Sequence, residues 1–232
     1  MRSGWFWGTP MWEQYQVEYY RGMERPEEYK SSPLANDAVL PGPNYDYDWT
    51  DKVQKPFTIE THKTQVIDLT QPLTTLWQGV RKSYHSIIHR ANENYVVVHR
   101  SAEGIAGFKA LHIRANGKQP RPDMTYTLQG DWIRDGYGLL IAALDNEAER
   151  WMAAAYWIVY QDKAYYCSGP SIERNVQHAV IWHSLELLKA RGVTMVEMGQ
   201  VDGATDKEKN IGRFKAGFGG TEQPYHVARR IE

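Results

Sequence analysis

The chain has 232 residues and only one cysteine, Cys167, so no disulfide can form within a single copy. It also lacks an excess of either charge, because 27 Lys and Arg residues balance 28 Asp and Glu residues. This balance argues against a general electrostatic attraction to DNA or to anionic lipid. No apolar run approaches the roughly 20 residues that span a bilayer, and none follows Arg2 as in a secretory signal. We therefore expect a cytoplasmic protein without a transmembrane segment.

Several common catalytic motifs are missing as well. The sequence contains neither G-x-x-x-x-G-K-[ST] nor G-x-G-x-x-G at the start of a helix, the two usual loops for nucleotide phosphates. It has no G-x-S-x-G turn, which argues against an α/β-hydrolase nucleophile. His85 and His89 have the spacing of a zinc-binding pair on a helix, but no glutamate follows His85 and no third ligand follows downstream. We therefore predict no metal site.

Aromatic residues with a polar group are abundant, with nine Trp and fifteen Tyr against five Phe. Such side chains suit clefts that hold amphipathic ligands. Many of them lie in residues 1–62, among prolines and short polar stretches, which predicts an irregular N-terminal arm. An arm of this kind must cover apolar surface elsewhere. We expect it first to wrap the main domain, residues 63–232, and second to form a homodimer contact.

Hydrophobic periodicity predicts a single α/β (α+β) domain after the arm. Short connections between three consecutive strands predict antiparallel neighbours in one sheet, so the sheet should be mixed and mostly antiparallel, with helices flanking it. The predicted elements, in chain order, are strand 65–69, helix 73–92, strand 94–100, helix 105–114, strands 139–144, 151–160 and 164–168, helix 176–190, strand 193–198, helix 205–218 and a last edge strand, 225–229.

The last predicted helix carries the residue that we rank first as a candidate for chemistry. Thr205 and Glu208 have the spacing of a capping box, and an apolar stripe follows at helical spacing, formed by Ile211, Phe214 and Phe218. Lys215 falls beside that stripe. A cation held there suits an anionic group or a developing oxyanion. The alternative is that Lys215 only complements the helix dipole while its stem covers apolar surface.

Two further segments supply candidate substrate contacts. The loop from Ser168 to Asn175 joins the end of a strand to the start of a helix, where main-chain N–H groups bind anions or carbonyl oxygens. Arg174 in this loop is a candidate anchor, and Tyr165 and Tyr166 on the strand before it are candidate proton donors or acceptors; the alternative for either tyrosine is simple core packing. The predicted helix 73–92 has a basic face that includes Arg81 and His85, which suggests an anion site or, alternatively, a solvated surface.

Taken together, these segments resemble the acyltransferase domain of the GNAT superfamily, and specifically its FemAB-type branch, which includes aminoacyltransferases that build peptidoglycan bridges. The resemblance covers roughly residues 65–222. It rests on W-Q-G-V-R-K-S-Y-H-S-I-I-H-R-A, a strand followed by S-G-P-S, a long helix ending in A-R-G, the strand V-E-M-G, and F-K-A-G-F-G-G.

The resemblance implies transfer of an acyl or aminoacyl group to an amine without a covalent enzyme intermediate. Lys215 takes the position of the family's cleft lysine, which neutralises charge on the attacked carbonyl or on a phosphate, and Arg213 and Arg81 become secondary anion contacts. Classical acetyl-coenzyme A users carry [RQ]-x-x-G-x-[GA] before the long helix, and residues 171–177 lack it. The donor expected is therefore aminoacyl-tRNA or an acyl carrier protein rather than acyl-coenzyme A, in each case as a substrate and not as a bound cofactor.

We therefore predict a FemAB-like acyltransferase that acts on an amine of a cell-envelope precursor, either an amino sugar or a peptidoglycan stem peptide. Its catalytic residues are predicted to be Lys215 and Tyr166. Its substrate-binding residues are predicted to be Arg81, His85, Tyr165, Ser168, Arg174 and Arg213. Two other functions stay open, a GNAT-fold binding module without activity and a coenzyme A dependent N-acetyltransferase.

Overall fold

A computed structural model describes residues 28–30, 57–145, 150–173 and 175–230. The predicted arm therefore lies almost entirely outside the described residues, and so does Arg174. The chain divides into two compact units. The smaller comprises 1–65, 200–212 and 222–232, and the larger comprises 66–199 and 213–221.

The described residues form eight strands and six α-helices, with one 3₁₀ turn. The strands are β1 (Glu28–Lys30), β2 (Phe57–Asp68), β3 (Tyr95–Arg100), β4 (Gly138–Asp145), β5 (Trp151–Tyr160), β6 (Lys163–Ser168), β7 (Met195–Gln200) and β8 (Thr221–Arg230). The helices are α1 (Leu73–Gly79), α2 (Lys82–Asn94), α3 (Ile105–Asn116), α4 (Asp123–Arg134), α5 (Val176–Ala190) and α6 (Asp206–Ala216). No helix among these residues combines the length and apolar character needed to cross a bilayer.

The larger unit is built on a mixed sheet in the order β7-β6-β5-β4-β3. Strands β3 to β6 pair antiparallel, whereas β6 and β7 run parallel because helix α5 connects them. The mixed, mostly antiparallel sheet predicted from the sequence is therefore confirmed. Strand β4 is buried along almost its whole length, as expected for a central strand that has helices on both faces.

The two faces of this sheet are covered by different helices. On one face, alternate residues of β4 to β7 form a continuous apolar core with α2 and α5, including Ile141, Trp157 and Val196. On the other face, α3 and α4 pack on the intervening residues, with the rings of Phe108 and Tyr156 6.0 Å apart. This second face is more polar, because the Tyr156 hydroxyl donates to the Gln129 carbonyl at 2.9 Å. The alternation follows from the two-residue period of strand side chains.

In the smaller unit the strands lie in the order β1-β8-β2, with Tyr29 opposite Ala228 in an antiparallel pair. The predicted edge position of the last strand is therefore wrong, because three residues of the arm add a strand beside it. The capping box is confirmed: the Thr205 N–H donates to the Glu208 carboxylate at 2.9 Å, and the Glu208 N–H donates to the Thr205 hydroxyl at 3.2 Å. Ile211 is 41% exposed, so it does not belong to a packed apolar stripe.

The helix predicted from residue 73 to residue 92 is two helices, α1 and α2. The break falls at Val80 and Arg81, which are both extended. The Val80 N–H still bonds to carbonyls of α1, but the Arg81 N–H donates to the Gly217 carbonyl at 2.8 Å. A tertiary hydrogen bond thus replaces the helical one, which the local periodicity does not reveal.

Helix α4 was not predicted: the sequence pattern indicated no helix or strand between residues 114 and 139. Its sequence, D-M-T-Y-T-L-Q-G-D-W-I-R, is polar over most of its surface. Its buried residues are Tyr126, Gln129 and Gly130. They recur at i, i+3 and i+4, so the packed stripe is helical although it contains little apolar character.

We predict that Gly220→Ala destabilises the larger unit far more than Gly117→Ala does. Both glycines have positive φ, +83° and +71°, so either alanine strains the backbone by about 1 kcal/mol. A Cβ at Gly220 would also lie 2.1 Å from the Val66 carbonyl oxygen, whereas a Cβ at Gly117 meets nothing within 4 Å. The expected loss for Gly220→Ala is about 3 kcal/mol or more, measured by urea denaturation. Equal losses would show that the close approach to Val66 is not rigid.

Candidate functional site

The parallel pair of strands β6 and β7 opens part of the way along its length. Its register pairs Lys163 with Met195, Ala164 with Val196, and Tyr165 with Glu197. Beyond the Tyr165–Glu197 pair both strands continue, but they no longer pair with each other. Because the facing main-chain groups of the two strands do not bond to each other there, this part of the sheet is the candidate place for a polar extended ligand.

A β-bulge lies on the β6 side of the same opening. Trp157 of β5 faces Tyr166, and Tyr156 faces Ser168, so Cys167 is one extra residue between the two pairs. A bulge leaves its extra residue unpaired and redirects the side chains that follow. Tyr166 and Ser168, two positions apart, therefore lie on opposite faces of the sheet.

Lys215 reaches β7 next to the opening, from the last turn of α6. A Cβ at Gly199 would lie 3.3 Å from Lys215 Nζ and 2.6 Å from the Tyr165 hydroxyl oxygen. Gly199 also has a φ of +74°, a conformation that favours glycine. The missing side chain at this position therefore lets an ammonium and a phenol converge at the point where the strands part.

The surroundings of Lys215 change its acidity. Burial lowers the pKa of Lys215 to about 8, against the opposing effect of the nearby Glu197 carboxylate. Glu197 is itself only 2% exposed. Near neutral pH the lysine is therefore mainly a cation, yet it can release its proton far more readily than a surface lysine.

Arg81 and Tyr84 hold the end of the helix that carries Lys215. The Arg81 guanidinium donates to the Arg213 carbonyl at 3.1 Å, and the Tyr84 hydroxyl donates to the Phe214 carbonyl at 3.4 Å. Together with the bond from the Arg81 N–H to Gly217, these contacts satisfy carbonyl groups that the end of a helix leaves without partners. The structure therefore places Arg81 where it supports Lys215.

His85 and Arg213 are the other predicted substrate-binding residues on helices α2 and α6. His85 Nε2 lies 3.0 Å and 3.1 Å from the carbonyl oxygens of Trp77 and Val80, and its ring stacks on Trp77 at 4.2 Å. These contacts stabilise the end of α1. The Arg213 side chain is exposed. No structural contact tests the predicted role of either residue in substrate binding, and both roles stay predictions.

The two strand tyrosines separate as the pleat of a strand requires. Tyr166 packs on Trp157 in the apolar core, with ring centroids 5.0 Å apart, and its hydroxyl accepts from Gln177 Nε2 at 3.2 Å. Burial raises the pKa of Tyr166 well above its usual range. The structure thus brings Tyr165, rather than Tyr166, together with Lys215, and Tyr165 is the better candidate for a catalytic tyrosine. Ser168 lies on the more polar face.

Glu197 and Gly199 were not singled out in the sequence, although both are visible there. A charged residue between Val196 and Met198, which are fully buried, is unusual in a strand that packs on both faces. A glycine near the end of such a strand indicates a close approach of other groups. Across the described part of the chain, no group of three or more His, Cys, Asp or Glu side chains converges as metal ligands do.

Comparison with known proteins relates the chain by structure and not by sequence. No protein-family profile and no curated protein sequence matches it. The structure of FemX is similar, with a TM-score of 0.61 and 13% identity over 73% of this chain and 61% of that one. L-PGS from Bacillus licheniformis is also similar, with a TM-score of 0.55 and 11% identity over 75% of this chain and 62% of that one.

A third similar structure is the C-terminal domain of a putative lysylphosphatidylglycerol synthetase from Agrobacterium fabrum. Its TM-score is 0.56 and its identity 10%, over 100% of this chain and 80% of that one. The chain spans about three fifths of the length of FemX and of L-PGS. At these identities the comparisons establish the fold, which is GNAT-like and similar to that of FemX. The resemblance found in the sequence is confirmed at this level.

We predict that the stability of the protein rises in alkaline solution because of Lys215. An unfolded lysine has a pKa near 10.4, and that of Lys215 in the folded protein is about 8. Between these values the unfolded chain binds more protons, so the free energy of unfolding increases with pH, by about 3 kcal/mol from this residue.

The measurement is urea denaturation at pH 8 and pH 10, on the wild type and on Lys215→Met. Other titrating groups are common to both proteins, so the difference between them isolates Lys215. We expect the wild type to gain stability over the variant between the two pH values. A constant difference would mean that Lys215 keeps an ordinary pKa in the folded protein.

Proposed function

We propose that this protein is an acyltransferase that moves an acyl or aminoacyl group to an amine of a cell-envelope precursor, an amino sugar or a peptidoglycan stem peptide. The observation that carries the proposal is the convergence of Lys215 and Tyr165 at the point where strands β6 and β7 part. A cation and a phenol at such a place can stabilise a developing oxyanion and transfer a proton, two effects that accelerate acyl transfer.

The chemistry divides among these groups in a simple way. The acceptor nitrogen attacks the carbonyl carbon of the donor, a C–N bond forms, and the bond from carbon to the leaving oxygen or sulfur breaks. The unpaired main chain at the Cys167 bulge offers a hydrogen bond to the carbonyl oxygen as it becomes negative. Lys215 adds positive charge, and its lowered pKa of about 8 lets it give a proton to the leaving group; the neutral amine left on Lys215 then takes up the proton that the attacking nitrogen loses, which restores the ammonium.

The preference for an aminoacyl or carrier-bound donor rests on the segment before α5. Residues 171–177 lack the glycine-containing loop that coenzyme A users place there. Asn175 instead begins the helix with a positive φ of 75°, and the Asn175 carbonyl lies 2.9 Å from His178 Nδ1. The sequence resemblance to the FemAB-type branch also favours this class of donor, with coenzyme A thioesters as the class to be excluded.

We predict that Lys215→Met lowers kcat for acyl transfer by about 10²- to 10³-fold, which is the typical loss of one preorganised charge or donor at an oxyanion. Transfer is measured with tRNA charged with amino acids and with acetyl-coenzyme A as donors. The amine acceptors are a nucleotide-linked amino sugar and a lysine-containing stem peptide.

Lys209→Met is the matched control, because Lys209 is an exposed lysine on the same helix. We expect it to change kcat by less than about twofold. An active wild type whose rate survives Lys215→Met would refute the role of the lysine. Transfer from acetyl-coenzyme A alone would identify a coenzyme A dependent N-acetyltransferase, and saturable donor binding without transfer would identify a binding module.

A further inference from the structure

Three buried polar side chains form a line on the face of the sheet that α3 and α4 cover. The Tyr126 hydroxyl lies 3.3 Å from His112 Nδ1, and His112 Nε2 lies 2.9 Å from the Ser168 hydroxyl. Their exposed fractions are 2%, 5% and 8%. A buried polar group costs free energy unless it is hydrogen-bonded, so the direction of each bond in this line is constrained.

The direction follows from what each group can donate. A buried phenol has one hydrogen to give, and among the described residues His112 Nδ1 is the acceptor within reach of Tyr126. Burial lowers the pKa of His112 to about 4, so the ring is neutral near pH 7 and carries a single N–H. If Nδ1 accepts from Tyr126, that hydrogen must be on Nε2. His112 therefore donates to the oxygen of Ser168.

The Ser168 hydroxyl hydrogen is then left to donate elsewhere. Within the described part of the chain, the hydrogen-bond partner of this hydroxyl is His112. Ser168 is the residue directly after the Cys167 bulge, at the end of β6 where the opening from β7 lies. The Arg121 guanidinium acts electrostatically on His112, Tyr126 and Cys167, so the surrounding potential favours an electron-rich oxygen.

We propose that Tyr126, His112 and Ser168 form a one-way hydrogen-bond relay that presents the Ser168 hydroxyl hydrogen to an oxygen of the acyl donor. This inference rests on the proposed acyl transfer. Hydrogen bonds in a chain polarise one another, so the relay makes Ser168 a stronger and better oriented donor than an isolated serine. Ser168 contacts the donor, whereas His112 and Tyr126 are positioning residues.

The short distance between Ser168 and His112 is also what a serine nucleophile and its general base would show. The relay is a different arrangement, because His112 donates to Ser168 instead of accepting its proton. A general base works best when its pKa lies near the working pH. The pKa of His112, about 4, is far below it, because burial and Arg121 both disfavour the imidazolium. Phe108 also packs edge-on against the ring at 4.6 Å. His112 thus fixes the hydroxyl of Ser168 and does not take its proton.

The first test is the tautomer of His112 in the full chain, read at pH 7 from the ¹⁵N shifts of its ring, with His112→Gln used to assign the signals. The relay requires a hydrogen on Nε2 and none on Nδ1. In Tyr126→Phe, which removes the hydrogen bond to Nδ1, the ring should become a mixture of the two tautomers. A hydrogen on Nδ1 in the wild type would overturn the relay, whatever reaction the protein catalyses.

The second test separates a relay from a base by kinetics, with charged tRNA and acetyl-coenzyme A as the donors. Glutamine at position 112 can accept from Tyr126 through its carbonyl and donate to Ser168 through its amide, so His112→Gln should retain kcat/KM within about threefold. His112→Leu breaks the line and should lose about 10- to 100-fold, as Ser168→Ala should. His112→Leu and Ser168→Ala remove the same interaction, so the variant that carries both changes should lose no more than either single variant.

The outcomes are distinguishable. An active enzyme in which His112→Gln falls as far as His112→Leu would mean that the imidazole itself takes a proton, and the relay would be wrong. Unchanged kcat/KM in Ser168→Ala would show that the hydroxyl does not contact the donor. Thermal unfolding of each variant identifies losses that come from misfolding. If the wild type transfers from neither donor, the acyl-transfer function and the donor contact both fail, while the tautomer still decides whether the relay exists.

Discussion

Burial of the Lys215 ammonium is the constraint that the rest of the site depends on. Removing a charge from water is costly unless opposite charge or oriented dipoles replace the solvent. Glu197 supplies the opposite charge from within β7, and the carbonyl end of α6 carries a partial negative charge that favours a cation. Gly199 supplies the space. The ammonium that lies among these groups therefore explains why a carboxylate, a helix end and a glycine are found together at this place.

The topology of the sheet creates the second requirement. Strands β6 and β7 are joined by a crossover helix and pair in parallel at their start, but they part after Tyr165 and Glu197. Beyond that point the two strands no longer bond to each other, and the bulge at Cys167 interrupts the β5–β6 ladder beside it. An opening of this kind is unfavourable in a purely structural sheet. A ligand that bonds to the main chain at this place would offset that cost, which agrees with the extended polar substrate of the proposed function.

The sequence predicted the parts of this arrangement that depend on local pattern. Helix α5 was predicted with the bounds that it has, because its apolar face and the following Arg-Gly are strong local signals. Lys215 was found because it stands beside an apolar stripe. The break between α1 and α2 was missed because the Arg81 N–H bonds to a residue far along the chain. Tyr166 was preferred to Tyr165 as the catalytic candidate because side-chain alternation puts neighbouring strand residues on opposite faces of the sheet. It does not indicate which of the two residues lies near Lys215.

The acidity of Lys215 links this geometry to the proposed acyl transfer. A lysine with the ordinary pKa near 10.4 would serve only as a fixed cation near neutral pH, and one lowered to 6 would be mostly uncharged there. A pKa of about 8 keeps the positive charge that a developing oxyanion needs and still allows the proton to leave at little cost. Burial alone would lower the value further, and Glu197 holds it back. In the proposed acyl transfer, the carboxylate therefore sets the balance between Lys215 as a charge that stabilises the transition state and Lys215 as an acid that releases the leaving group.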